Sequence, residues 1–180
     1  MATKSRMLRQ VRSWQWREVR ESLEQNPALR ALRDPKGRSW LHLCAAVDPK
    51  VRGLRPVDSV RTADVLLDAG LGLDEAAFRV ADWKATPLWH AVAWGRNRPL
   101  VRHLLARGAD PEHGLWAAAY NDDTVTIALL VRSGADLDPV TEDETPLLHA
   151  VKTGRYRAAA ALLRLGARVD FQDSRGRPAT

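Results

Sequence analysis

The sequence predicts an all-α solenoid of stacked helix-turn-helix pairs joined by short connections. A Leu-Leu-x-x-Gly-like segment recurs four times along the 180 residues, and a capped helix start stands upstream of each copy. The single cysteine, Cys44, excludes an internal disulfide framework, and no Cys/His cluster has zinc spacing. Apolar residues at 45% and charged residues at 28% fall in the globular range. A chain of this length buries roughly 70% of its unfolded surface, enough to fold without staples.

The helix ends come from Leu66-Leu67-Asp68-Ala69-Gly70, Leu104-Leu105-Ala106-Arg107-Gly108-Ala109-Asp110, Leu130-Val131-Arg132-Ser133-Gly134-Ala135-Asp136 and Leu162-Leu163-Arg164-Leu165-Gly166-Ala167. In each, glycine can take the left-handed conformation that closes a helix C-terminus. The starts are Ser39-Trp40-Leu41-His42, Thr86-Pro87-Leu88-Trp89-His90, Gly114-Leu115-Trp116 and Thr145-Pro146-Leu147-Leu148-His149. Threonine can cap orphan N–H groups there, while proline at the first helical position has no N–H to satisfy.

These starts and ends resemble the ankyrin repeat, with Asp34-Pro35-Lys36-Gly37 and Ser39-Trp40-Leu41-His42 the best local match. The resemblance is clear over 34–180 and implies an ankyrin-repeat fold whose concave face binds another protein. It divides the chain into a degenerate N-terminal capping repeat (7–33), repeats at 34–80, 81–111, 112–139 and 140–172, and a tail at 173–180. Successive terminal glycines are 38, 26 and 32 residues apart, where the family's period is roughly 33. About ten extra residues around Pro49–Val57 are expected between the helices of the 34–80 repeat. The connection before Leu115 is too short for a full hairpin. His90 and His149 stand one position later than the family histidine, so the usual capping role is not expected of them.

Charge is unevenly placed. Residues 1–33 carry eight Lys/Arg against three Glu, whereas 110–144 hold nine Asp/Glu against Arg132 alone. The acidic block would repel a phosphate backbone, which disfavours nucleic acid despite a net charge of +6. Arginine outnumbers lysine 23 to 5, a mark of a GC-rich and, by that inference, bacterial coding sequence. The N-terminus lacks an apolar signal region and no apolar run approaches the roughly 20 residues of a membrane span, so a cytoplasmic location is expected.

No Gly-x-Ser-x-Gly elbow, phosphate-binding glycine loop or His-Glu-x-x-His occurs. The expectation is a non-enzyme without cofactor, metal or small-molecule substrate. Cys44 falls where the family places a small buried residue, and Glu142-Asp143-Glu144 reads as a solvated acidic tip.

Threading the ankyrin pattern puts Lys36, Arg38, Ala46 and Val47 on the binding face, then Asp82, Trp83, Ala85, Ala93 and Trp94, and then Tyr120, Asn121, Glu142, Glu144, Lys152 and Thr153. The resemblance thus implies an aromatic centre of Trp83, Trp94 and Tyr120 between a basic and an acidic flank, the composition of an interface hot spot. Trp83 and Trp94 could equally pack on each other. The acidic block predicts a partner with a basic segment. The alternative surface is the N-terminal stripe of Arg6, Arg9, Arg12, Arg17 and Arg20 interleaved with Leu8, Val11, Trp14, Trp16 and Val19, an amphipathic helix suited to nucleic acid or anionic membrane. A homodimer through the C-terminal repeat is expected if the tail leaves its helices uncovered.

Overall fold

In the computed structural model, the described residues are 3–80, 83–140 and 144–170, with only the backbone described at Val80 and Trp83. The chain forms two compact units, Met1–Ala109 and Asp110–Thr180.

The first unit opens with helices α1 (Lys4–Arg12) and α2 (Trp16–Gln25), followed by a 3-10 turn at Pro27–Ala31. The predicted basic stripe is therefore not one amphipathic helix. The chain breaks at Trp14, whose φ of 52° is left-handed. Its ring is buried, and Nε1 donates to the Cys44 carbonyl at 3.1 Å. Helix α3 (Trp40–Ala45) is buried throughout, and Trp40 Nε1 donates to the Leu29 carbonyl at 2.7 Å. Two indole N–H groups thus find backbone acceptors in the core, which removes the penalty of burying them.

The expected insertion between the helices of the 34–80 repeat contains a further turn of helix, α4 (Pro49–Arg52). Asp48 caps it and Gly53, at φ 62°, ends it. Helix α5 (Pro56–Asp68) then packs on α2 and α3. Strands β1 (Arg79–Val80) and β2 (Trp83–Lys84) form a two-residue antiparallel pair in a mostly helical fold. Helix α6 (Pro87–His90) runs into a π-helical turn at Ala91–Gly95, and α7 (Arg98–Ala106) closes the unit.

The second unit begins with a 3-10 turn, Glu112–Gly114, in place of a hairpin. Helices α8 (Leu115–Tyr120), α9 (Thr124–Arg132), α10 (Pro146–Lys152) and α11 (Tyr156–Leu165) follow. Within this unit α10 packs on α8 and α11, and α9 on α8 and α11. Thr86 and Thr145 cap α6 and α10 as their sequences predict, accepting from the N–H groups of Trp89 and Leu148 at 3.2 Å each. Leu100, Leu104, Leu115, Ile127, Leu130, Leu147, Leu148 and Leu162 are buried, so apolar residues of both helix starts and helix ends form the cores of their own units. Among the described residues no helix is long and apolar enough to cross a membrane.

Candidate functional site

In the first unit the site grows from the turn at Asp34–Arg38. Asp34 Oδ1 accepts from the N–H groups of Lys36 and Arg38, at 2.9 Å each, while Oδ2 takes the Arg38 guanidinium. Burial alone would raise the Asp34 carboxyl, but these hydrogen bonds hold it below its usual range. Arg38, expected as a contact residue, is therefore the half-buried partner of a turn aspartate. Lys36 is exposed. A Cβ on Gly37, at φ 74°, would strike the Ala77 carbonyl, so this turn lies against the strand that leads to Arg79.

The Ala77 N–H donates to the Ala85 carbonyl and the Ala85 N–H to Phe78, at 3.0 Å each, which sets Arg79 directly opposite Lys84. Two expected contact groups of this hairpin, Asp82 and the Trp83 side chain, lie outside the described residues. Ala85 and Val47, threaded onto the surface, are instead buried in the core.

Trp94 owes its position to one surplus residue. The left-handed residue that ends the first helix of the pair comes ten positions after the capping Thr86 (Arg96, φ 45°) but nine after the capping Thr145 (Gly154, φ 69°). The π turn absorbs the difference, with the Asn97 N–H reaching back to the Ala91 carbonyl at 3.3 Å. Gly95 then sits where any Cβ would meet the Ala45 carbonyl, and Trp94 is left 61% exposed. Its ring meets Trp89 edge-to-face at 6.2 Å and 83°, and Trp89 meets Phe78 at 6.5 Å and 79°. Phe78 is also exposed. The repeat pattern marks none of Phe78, Arg79 and Lys84, and it places Trp89 only within a helix start. The surplus residue between Thr86 and Arg96 was the signal for this aromatic series.

In the second unit the structure gathers Tyr120, Glu144 and Lys152 around His149. Glu144 accepts from His149 Nδ1 at 3.0 Å and from Lys152 Nζ at 2.8 Å. Burial would raise the Glu144 carboxyl, yet these donors hold it below its usual range. It is thus a neutralised, half-buried group and not part of a free acidic tip; Glu142 lies outside the described residues. The His149 ring touches Trp116 (5.3 Å) and Tyr120 (6.2 Å), and the Arg155 guanidinium lies over Tyr120 at 5.1 Å. Tyr120 remains 55% exposed, whereas Asn121 is half-buried.

Much of the acidic block serves the backbone. Asp123 caps its own helix α9, and Asp122 accepts from the Ala158 N–H of α11 at 2.7 Å. Asp110, Glu112, Asp136 and Asp138 accept the N–H groups of Glu112, Asp136, Asp138 and Arg168, respectively.

His42 Nδ1 accepts from the Ser39 N–H, and Nε2 donates to the Glu75 and Ala85 carbonyls at 2.9 and 3.1 Å. His90 Nδ1 donates to the Thr86 carbonyl, so this displaced histidine makes a different bond from the capping one. Burial pushes both imidazoles down to about 4. Cys44 is completely buried, and burial pushes its thiol up.

The family model described as ankyrin repeats, in three copies, matches residues 88–173. Among solved structures, an ankyrin repeat domain from Acinetobacter baumannii AYE is similar in fold, with a TM-score of 0.73 and 20% identity over 98% of this chain and 89% of its own length. No curated protein matches the sequence. Residues 88–173 thus match the ankyrin-repeat model, and the chain has the fold of an ankyrin-repeat domain.

Proposed function

We propose that the chain is a non-catalytic module that binds a partner protein through the ends of its first helices and the adjoining connection tips. Ankyrin repeats are generally protein-protein interaction modules. The observation that carries the reading here is positional. Two residues before each left-handed turn residue, Arg96, Asp122 and Gly154, stand Trp94, Tyr120 and Lys152, and all three are exposed. Large aromatics held in water at equivalent places in successive repeats are the anchors that interfaces favour. A preformed helical surface also avoids the ordering cost of a flexible binder.

The partner-binding residues on this reading are Lys36 and Trp94 in the first unit and Tyr120 and Lys152 in the second, with Asp82, Trp83, Asn121 and Glu142 retained from the threaded repeat pattern. The same reading includes a basic partner segment drawn by the 110–144 run, whose carboxylates keep their charge while holding backbone N–H groups. A second surface is favoured by one observation. The guanidiniums of Arg17, Arg20 and Arg61 lie 4.2, 5.6 and 5.7 Å from the Trp16 ring centre, a basic cluster suited to nucleic acid or anionic lipid.

Affinity capture from native lysate with wild type and with the Trp94→Ala/Tyr120→Ala variant separates the two. A protein retained by wild type and lost from the variant, at unchanged circular dichroism, supports the helix-end surface. Nucleic acid or lipid retained equally by both and released by salt would transfer the function to the arginines around Trp16.

A further inference from the structure

The hairpin of the first unit has a charge arrangement that folding alone does not favour. Arg79 and Lys84 are directly opposed across the strand pair, a placement that opposes pairing between like charges. Lys36 belongs to the Asp34–Arg38 turn, which lies against Ala77 through Gly37. Among the described residues, none of these three cations has an ion-pair partner, whereas Arg33 and Arg38 of the same unit are paired with Glu75 and Asp34. Phe78 precedes Arg79 in the chain, so by strand alternation its ring leaves the other side of the hairpin edge, where it is the first of the edge-to-face series Phe78, Trp89, Trp94, whose outer rings are exposed.

We infer that this hairpin accepts an acidic segment of a partner protein that runs across its edge. An apolar side chain of that segment lies on the Phe78–Trp89–Trp94 surface, and its carboxylates approach Lys36, Arg79 and Lys84. The inference rests on the helix-end docking reading and adds the partner's chemistry. Carboxylates relieve the repulsion between Arg79 and Lys84, and the exposed rings supply apolar burial. Ring geometry favours a peptide over single-stranded RNA. Successive rings stand 79° and 83° to each other, so they offer apolar edges and faces to a side chain but no run of parallel platforms for consecutive bases. The unit's charge agrees in sign, with 20 Lys/Arg against 11 Asp/Glu in residues 1–109.

The test is selection of a random peptide display library on the full-length chain, followed by fluorescence anisotropy of the enriched peptides. The comparison variants are Trp94→Ala, Tyr120→Ala, Arg79→Glu/Lys84→Glu and Lys36→Glu. The expected peptides carry several Asp or Glu around a Phe, Trp or Leu, and they weaken by about tenfold or more on Trp94→Ala and on the double charge reversal. Lys36→Glu changes only an exposed turn side chain, and the same peptides weaken there too. Basic or uncharged peptides that still require Trp94 would overturn the acidic assignment and leave the docking surface standing. Peptides indifferent to both Trp94→Ala and Tyr120→Ala would overturn the docking reading as well. An RNA oligonucleotide that displaces the peptides from wild type, but does not bind the charge-reversed variant, would give the surface to nucleic acid.

Discussion

Asp122 shows how one side chain can meet two local demands. Its φ of 53° lies in the left-handed region, where most residues are strained and Asp or Asn is tolerated best. Its carboxylate also accepts from the Ala158 N–H at 2.7 Å, inside the first turn of α11, whose own N-cap residue Arg155 makes no side-chain cap bond. The aspartate before α9 therefore caps α11. Asp122→Ala loses the cap and keeps the strain, for a combined loss of about 2–3 kcal/mol in urea unfolding. Asp122→Asn retains left-handed tolerance and an amide oxygen acceptor, so its loss is about 1 kcal/mol or less. Equal stability of all three proteins would show that the bond to Ala158 contributes nothing. At this scale the sequence could mislead: the charge of residues 110–144 was plain, but its use as backbone caps depends on which N–H groups the fold brings near.

At the scale of elements, the start of α3 and the connection from α5 to α6 are tied by buried imidazoles. His42 bonds Ser39 on one side and the Glu75 and Ala85 carbonyls on the other, and its ring lies edge-to-face on His90 at 5.0 Å. Burial lowers both groups to about 4, outweighing the bonds to carbonyls that favour the charged form. The unfolded chain then binds protons that the folded chain refuses between about pH 6.5 and pH 4. The stabilisation is complete above the unfolded value and falls as pH drops through this window, by on the order of 3 kcal/mol for each histidine at its lower end. Asp34 and Glu144, both held below their usual range, withdraw their contributions only at the acidic end. Denaturant unfolding at pH 7, 6 and 5 is thus expected to show falling stability before the carboxylates titrate, and a flat profile would contradict the buried neutral pair. These elements were legible in part. The Thr-Pro starts and glycine ends are local codes and stand out, but the π turn needs a residue count between them, and the break at Trp14 has neither glycine nor proline to mark it.

Across the whole molecule, the paired-helix plan was readable because each pair carries its own punctuation and its own leucines. The site was less so: Trp94 and Tyr120 are exposed as the pattern implied, while Arg38 and Glu144 are committed to partners that composition does not reveal. The N-terminal segment illustrates the same limit, because its arginines suggested a separate surface whereas its apolar side is sewn into the first unit. Trp14 bonds the Cys44 carbonyl, Trp40 bonds the Leu29 carbonyl at 2.7 Å, and Arg33 pairs with Glu75. Cys44 lies under this cover at 0% exposure, which makes its thiol a reporter of whether residues 1–33 hold to the rest. If they do, a thiol reagent labels the native protein only through openings, and each 1.4 kcal/mol of opening free energy slows labelling about tenfold. Labelling then follows global unfolding across a urea series. Removal of residues 1–33 exposes the thiol in native buffer whether or not the remainder stays folded. Trp14→Phe loses the hydrogen bond but keeps a ring in place, so its protection falls between the two. Rapid labelling of the intact chain without denaturant would mean that α1 and α2 detach freely, and a folded deletion variant that stays unlabelled would mean that other elements cover Cys44.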